Sequence, residues 1–204
     1  MQCDNPKIVH HLPHIFDRGD VSSLSFNIGK NECQKYLFVP EVEGVYERHF
    51  CLEEGAVFRG GAIVLGANMV LKMFVSIQGS NSEASLQLLG LAKGGSNIEI
   101  DGIGIVKNGC EGVKLRVDQT NILLGKGAKV RGRPVLEVGT DSIEGGHSCK
   151  VHEISGEKLF YLESHGIDTK TAEQMLLEGE IMNHLMIIST DYENIRTNIL
   201  GRLL

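Results

Sequence analysis

Five cysteines and eight histidines are the residues of this chain best able to hold a metal ion or attack a substrate. The cysteines are Cys3, Cys33, Cys51, Cys110 and Cys149. None forms a C-x-x-C pair, so no zinc-finger or ferredoxin-type motif is present. An odd number, behind a start that does not read as a secretion signal, argues for reduced thiols packed as small apolar groups. Cys149 differs from the others because His147 and His152 flank it. Side chains alternate along a strand, so His147, Cys149 and Val151 should share one face. A thiolate and an imidazole two residues apart can bind the same borderline metal ion. Two donors do not close a site. Further ligands must come from neighbouring strands or a second subunit, and Glu144, His152 and Glu153 lie nearby in sequence. The same pair could form a Cys–His nucleophile set, but no third group is evident to orient the imidazole. His10, His11 and His14, divided by Pro13, read as terminal histidines rather than a metal site.

These residues need strands to place them. Eighteen of the 25 glycines fall between Gly55 and Gly146, where a long helix is disfavoured. Short apolar runs punctuate the segment: VLKMFVSI at 70–77, ASLQLLGLA at 84–92, IEIDGIGIV at 98–106, VKLRV at 113–117, NILLG at 121–125 and PVLEV at 134–138. Many alternate with the two-residue period of a strand, and glycine, asparagine and aspartate between them permit tight turns. SSLSFNIG at 22–29 and QKYLFVP at 34–40 extend the pattern toward the N-terminus. Hairpin signals are weak, with KNG at 107–109 the best. Stretches such as EEGAVFRGGAIVLGANM and LGKGAKVRG look like successive solenoid rungs of irregular length. Periodicity alone leaves a right-handed β-helix and a β-sandwich both open.

The pattern changes at Ser155, which can cap a short helix ending at Gly166. Asp168 can cap a second helix with a stripe of Ala172, Met175, Leu176, Ile181 and Leu185. Asp191 can cap a third, with Ile195, Ile199, Leu200 and Leu203 on one side. The expected division is a β core over 1–154 and a helical segment over 155–204. Net charge is −6, which offers no general basic face for nucleic acid. No run of 18 uncharged apolar residues suggests a membrane span, so a cytoplasmic protein is expected. LGKGAK at 124–129 is too short for a phosphate-binding loop, so any ATP hydrolysis belongs to a partner. A solenoid enzyme would need a paired-carboxylate groove or a loop histidine, and neither is clear.

The junction carries a resemblance. Pro134, Leu136 and Glu137 are followed by Asp141, Ser142, Ile143 and His147, then by Phe160, Tyr161, Leu162, Ser164, Gly166 and Ile167. Together with DQTNILLG at 118–125, these residues resemble the C-terminal part of the SufB/SufD family of iron-sulfur cluster assembly scaffolds. The specific match covers roughly 118–175, with weaker rung character back to about Glu54. The resemblance implies a mainly β fold, a right-handed parallel β-helix with irregular rungs, followed by C-terminal helices. It implies a non-enzymatic scaffold that pairs through the β-helix, here as a homodimer, and holds an iron-sulfur cluster transiently. It implies a SufC-like ABC ATPase docked on the helices. His147 falls on the family's interface histidine, which makes His147 and Cys149 the cluster-binding candidates, with Glu144 and His152 as further metal donors. The chain departs from the family in four places. Gln119 stands where the SufB branch carries a cysteine. Ser148 stands where SufB has glutamate and SufD glycine, and the lack of both the SufB cysteine and the SufB glutamate places the chain nearer SufD. His165 stands where the family has arginine, and Cys149 where alanine is usual, so Cys149 could restore the ligand that Gln119 does not provide. The alternative is an adaptor subunit whose cysteines are only core residues.

Overall fold

Apolar residues at every second position, as in Met69, Leu71, Met73, Val75 and Ile77, favour an extended strand with one buried face. The computed structural model describes residues 14–66, 68–188 and 192–203. Eleven strands come first: β1 (His14–Asp17), β2 (Ser23–Ile28), β3 (Cys33–Phe38), β4 (Gly44–Leu52), β5 (Val57–Gly66), β6 (Met69–Ile77), β7 (Glu83–Lys93), β8 (Asn97–Val106), β9 (Val113–Leu124), β10 (Lys129–Val138) and β11 (Ile143–Glu153). Three helices follow: α1 (Gly156–Ser164), α2 (Thr169–Ile188) and α3 (Tyr192–Leu203).

Successive strands alternate between two sheets. One has the order β1-β3-β5-β7-β9-β11, the other β2-β4-β6-β8-β10. Every pairing is parallel. The chain is therefore a right-handed parallel β-solenoid with C-terminal helices, and the sandwich left open by periodicity is excluded. Lys107–Asn108–Gly109 closes no hairpin; it carries the chain from β8 to β9 in the opposite sheet. Pro134 lies on β10, the last strand of its sheet, where a missing N–H interrupts no further ladder.

The interior is aromatic at the N-terminal end, where Phe50 stacks on Phe26 and Phe58 with ring centroids 5.1 and 4.3 Å apart. Among these rings sits Arg48, with no exposed surface. Its Nε donates to Asp17 at 2.6 Å, Nη1 donates to the Ser22 and Glu47 carbonyls, and Nη2 donates to the Val21 carbonyl. Its guanidinium lies 4.4 Å from the Phe38 ring centroid, and the Tyr36 hydroxyl also donates to Asp17.

One turn column runs the length of the solenoid. Asn31, Gly55, Asn81 and Gly112 all take left-handed conformations, with φ between 57 and 68°. Each of the first three donates its N–H to a carbonyl one rung on: Glu54, Ser80 and Glu111. A Cβ on Gly55 would lie 2.2 Å from Asn31 Oδ1. Gly55→Ala is thus expected to cost about 1–2 kcal/mol for the backbone conformation, plus the collision. Gly66, at φ 95° with nothing within 4 Å of its ideal Cβ, should cost only the first part. Urea unfolding of the two alanine variants separates the contributions; equal losses would show that the Asn31 contact has no weight.

The helices begin where the caps require. Lys158 N–H donates to Ser155 Oγ at 3.4 Å, and Gly166 follows α1 at φ 85°. Thr171 N–H donates to Asp168 Oδ1 at 3.1 Å. Ile181 and Leu185 of α2 and Ile195 and Ile199 of α3 form a second core with Leu37, Val39, Ile63, Leu65, Leu89, Leu91 and Ile122 on the outer face of the six-stranded sheet. Met175, expected on the buried stripe, is exposed instead, because that stripe is wider than the sheet contact. The Asp191 cap and the residues His10, His11 and Cys3 lie outside the described residues, as does the His14 side chain.

Candidate functional site

The inner row of β9 begins with the apolar residues Val113, Leu115 and Val117, is interrupted by the amides Gln119 and Asn121, and closes on Leu123. β11 pairs with β9 in parallel and without a bulge. Its inner row is Ile143, Gly145, His147, Cys149, Val151 and, at the strand end, Glu153, with His147 opposite Val117 and Cys149 opposite Gln119. No further rung follows, since β10 and β11 are the terminal strands of their sheets. His147 and Cys149 therefore lie on the interior-facing row of the last rung yet remain exposed.

The same alternation separates the other two candidates. Glu144 and His152 occupy even positions and lie on the opposite face of β11. Glu144 is exposed and pairs with Lys114 at 3.5 Å. The Nδ1 of His152 is 2.9 Å from the Glu153 carbonyl, and the ring borders a small cleft with Lys158, Leu176 and Glu180 beneath the helices. Within one subunit this parity keeps Glu144 and His152 off the row that carries His147 and Cys149. Among the described residues, no three His, Cys, Asp or Glu side chains are arranged to hold a metal ion.

Below Cys149 lies a second polar cluster in the interior, at the opposite end of the solenoid from Arg48. Gln119 Nε2 donates to the Ile100 carbonyl at 3.4 Å and to Asn121 Oδ1 at 3.2 Å. Asn121 Nδ2 reaches the Lys150 carbonyl at 3.5 Å and Cys149 Sγ at 3.8 Å. Facing them across the solenoid is Gly132, whose carbonyl is 3.9 Å from Cys149 Sγ. An ideal Cβ on Gly132 would stand 2.6 Å from Gln119 Nε2, 2.7 Å from Asn121 Nδ2 and 2.9 Å from Cys149 Sγ. Three polar groups thus crowd one point that only glycine leaves free. Burial pushes the Cys149 thiol above its ordinary range, and the Asn121 amide offsets part of that rise. Asn121 was not singled out from sequence. The available signal was the break in alternation, where Val113, Leu115 and Val117 give way to Gln119 and Asn121.

The remaining cysteines stand apart. Cys110 is buried in the main core, in the turn between β8 and β9. Cys51 is half-buried on the outer face of β4, beside His49 and Phe74. Cys33 is disulfide-bonded, against the expectation of reduced thiols throughout.

A second surface lies on the helices. Phe160 and Tyr161 of α1 are 72% and 63% exposed. Beside them, Glu157, Lys158, Tyr161, Leu162 and Leu176 line a shallow hollow between α1 and α2. His165 lies against Tyr161 in a tilted arrangement, with ring centroids 4.5 Å apart.

A protein-family model described as "SUF system FeS cluster assembly, SufBD core domain" matches residues 47–180, well over half of the chain. The chain is 37% identical over 62 residues to the iron-sulfur cluster assembly protein SufD of Escherichia coli K12, covering 30% of this chain and 15% of that protein. It is 26% identical over 112 residues to SufD of Bacillus subtilis 168, covering 53% and 26% of the two chains. It is 24% identical over 167 residues to an iron-sulfur cluster assembly SufBD family protein of Staphylococcus saprophyticus, covering 82% and 34%. The matched segments thus span about a third or less of each relative's own length.

Proposed function

Because the chain belongs to the SufBD core family of the SUF iron-sulfur cluster assembly system, we propose that it is a cytoplasmic, non-enzymatic scaffold subunit. Iron and sulfide are its cargo, held transiently at the open end of the solenoid. The observation that carries this reading is the joint position of His147 and Cys149 on the inner row of the terminal rung. A thiolate and an imidazole fit iron-sulfur chemistry, and two donors per subunit leave room for a partner's donors. The unpaired edges of β10 and β11 are a template for strand pairing with a second copy, which would supply those donors. The exposed Phe160 and Tyr161 suit an apolar anchor for a SufC-like ABC ATPase, whose nucleotide-driven movement would reshape the paired ends.

Anaerobic reconstitution with iron and sulfide tests the cluster site. Cys149→Ser and His147→Ala are each expected to lower the iron and sulfide retained after desalting; retention equal to the parent removes that residue from the site. Co-purification with the ATPase tests the dock. A Phe160→Ala/Tyr161→Ala double variant is expected to weaken capture by about thirtyfold or more, the scale of an aromatic hot spot. Because both side chains are exposed, its melting temperature should stay near that of the parent. Undiminished capture would move the dock elsewhere. The second reading is an adaptor subunit without cluster ligands of its own, which the exposed Phe160 and Tyr161 would equally suit. It predicts normal ATPase capture with no cysteine-dependent iron.

A further inference from the structure

The last rung ends in a definite pattern of unmatched groups. Lys129 and Gly139 donate their N–H groups back to β8, so the even residues of β10 turn N–H and C=O toward the free edge. The Ser142 carbonyl accepts from Val113 of β9, so on β11 the odd residues face outward. Among the described residues, Glu137 on β10 and Lys150 on β11 enter no ion pair, whereas Arg131 pairs with Glu99 and Glu144 with Lys114. Val138 and Val151, on the inner rows, are 47% and 52% exposed. The two strands also keep a fixed register across the interior. An ideal Cβ on Gly132 would meet Cys149 Sγ, and one on Gly104, the partner of Leu136, would meet Leu115, the partner of Gly145. Pro134 therefore lies across the solenoid from His147.

We propose that this end binds a second copy of the chain about a twofold axis through Pro134 and His147, each strand running antiparallel to its own copy. The inference rests on the reading that these edges meet a second copy, and adds which strands meet and in what register. Hydrogen-bonded partners in such a seam must both turn their backbone outward, so even residues meet even ones on β10 and odd meet odd on β11. The axis at Pro134 sets Arg131 opposite the partner's Glu137. The axis at His147 sets Glu144 opposite the partner's Lys150. Val138 comes to lie against the partner's Val130, and Val151 against the partner's Ile143. Both unmatched charges and both exposed valines are answered together. Opposite charges directly across an antiparallel pair stabilise it, and like charges destabilise it. That rule rejects the other symmetric arrangement, in which β10 pairs with the partner's β11. There Arg131 would face the partner's Lys150, and Glu137 the partner's Glu144. Moving the axis to Arg133 sets that cation against its own copy. Moving it to Val135 sets Lys150 opposite the partner's Ser142. Pro134 has no N–H, so the pair on the axis of the β10 seam makes no hydrogen bond, and the loss is confined to that pair.

Sedimentation equilibrium of the full chain tests the arrangement, with a dimer expected for the parent. Lys150→Glu, at an exposed side chain, should weaken the dimer about tenfold, because the new carboxylate meets the partner's Glu144 in both copies of the contact. Adding Glu144→Lys exchanges the two charges and should restore the parent affinity. Arg131→Glu, against the partner's Glu137, should weaken the dimer similarly through the other sheet. Tighter association of Lys150→Glu would mean that it meets the partner's Arg131, and would overturn the proposal in favour of the rejected arrangement. Unchanged association in all three variants overturns the register and leaves self-association standing. A monomeric parent overturns the register and the strand-paired dimer alike, and iron and sulfide retained by that monomer would leave the cargo site standing.

Discussion

Arg48→Ala is expected to destabilise the solenoid by about 3–5 kcal/mol, the range for removing one partner of a buried ion pair. Folded domains of ordinary size have about 5–15 kcal/mol in total, so much of the molecule's stability passes through this one side chain. The reason lies in what the substitution strands. Asp17 keeps a nearly buried carboxylate without its cation, and the Val21, Ser22 and Glu47 carbonyls lose their donor together. Arg48→Lys should recover little, because one ammonium cannot replace a planar fork that serves several acceptors. Arg48→Met combined with Asp17→Asn should cost less than the sum of the single changes, since no unpaired charge remains. Urea unfolding of these variants, with Arg48→Met and Asp17→Asn also measured singly, checks the scheme, and strict additivity would show that the two residues are not coupled. Acid gives an independent reading. Burial by itself raises the Asp17 carboxyl, but hydrogen bonds from Arg48, Tyr36 and the Gly19 N–H outweigh it and hold the group below its ordinary value. The folded pKa lies below the unfolded one. The resulting stability is present above the ordinary value of 3.8 and is lost as pH falls through the folded value. Asp17→Asn should therefore flatten the stability profile in that acid window and leave its shape near neutrality unchanged.

Removal of residues 155–204 is expected to make the β-solenoid insoluble. α2 and α3 are not a detachable appendage, because Ile181, Leu185, Ile195 and Ile199 complete a core whose other half is Leu37, Val39, Ile63, Leu65, Leu89, Leu91 and Ile122. Without the helices, that row of leucine, valine and isoleucine becomes a contiguous apolar patch on a flat sheet, a surface prone to association. The point substitution Leu185→Ala, at a fully buried position, should cost about 2–5 kcal/mol. Leu185→Asp should cost more, because it places a carboxylate among apolar side chains. Size-exclusion chromatography after mild refolding, with chemical unfolding of Leu185→Ala, checks both statements. A soluble, monodisperse truncation would show that the sheet face does not need its cover. Surface variants such as Phe160→Ala/Tyr161→Ala are consequently a cleaner probe of partner docking than deletion, since they leave this second core intact.

Much of the architecture could be read from the residues, and the failures have definite physical causes. Alternation and left-handed turn residues announce short strands, and Ser155, Gly166 and Asp168 announce helix ends, because these signals are local. Partner register is not local. Cys33 pairs with Val57, Val57 with Glu83 and Glu83 with Lys114, so the step between partners grows from 24 to 26 to 31 residues. With turns of unequal length, no spacing rule brings Gln119 to Cys149. Arg48 shows the same limit from another side. In VYERHF it looks like a solvent-facing charge, yet it shares an inner row with Tyr46, Phe50 and Leu52, and its carboxylate partner lies 31 residues away. The placement of Glu144 and His152 was accessible, since odd and even positions on one strand cannot share a face. Proximity in sequence concealed it.

The turn column of Asn31, Gly55, Asn81 and Gly112 also sets the unit in which this molecule can shrink. Excising the coil that carries Gly55 would seat Asn31 directly beneath Asn81, with an amide oxygen aimed at a Cβ that is now present. Excising that coil together with its neighbour would seat Asn31 beneath Gly112 and restore the original fit. Viable shorter versions should therefore arise by loss of two coils at a time, as if the solenoid were tiled by a double step that its strands alone do not reveal.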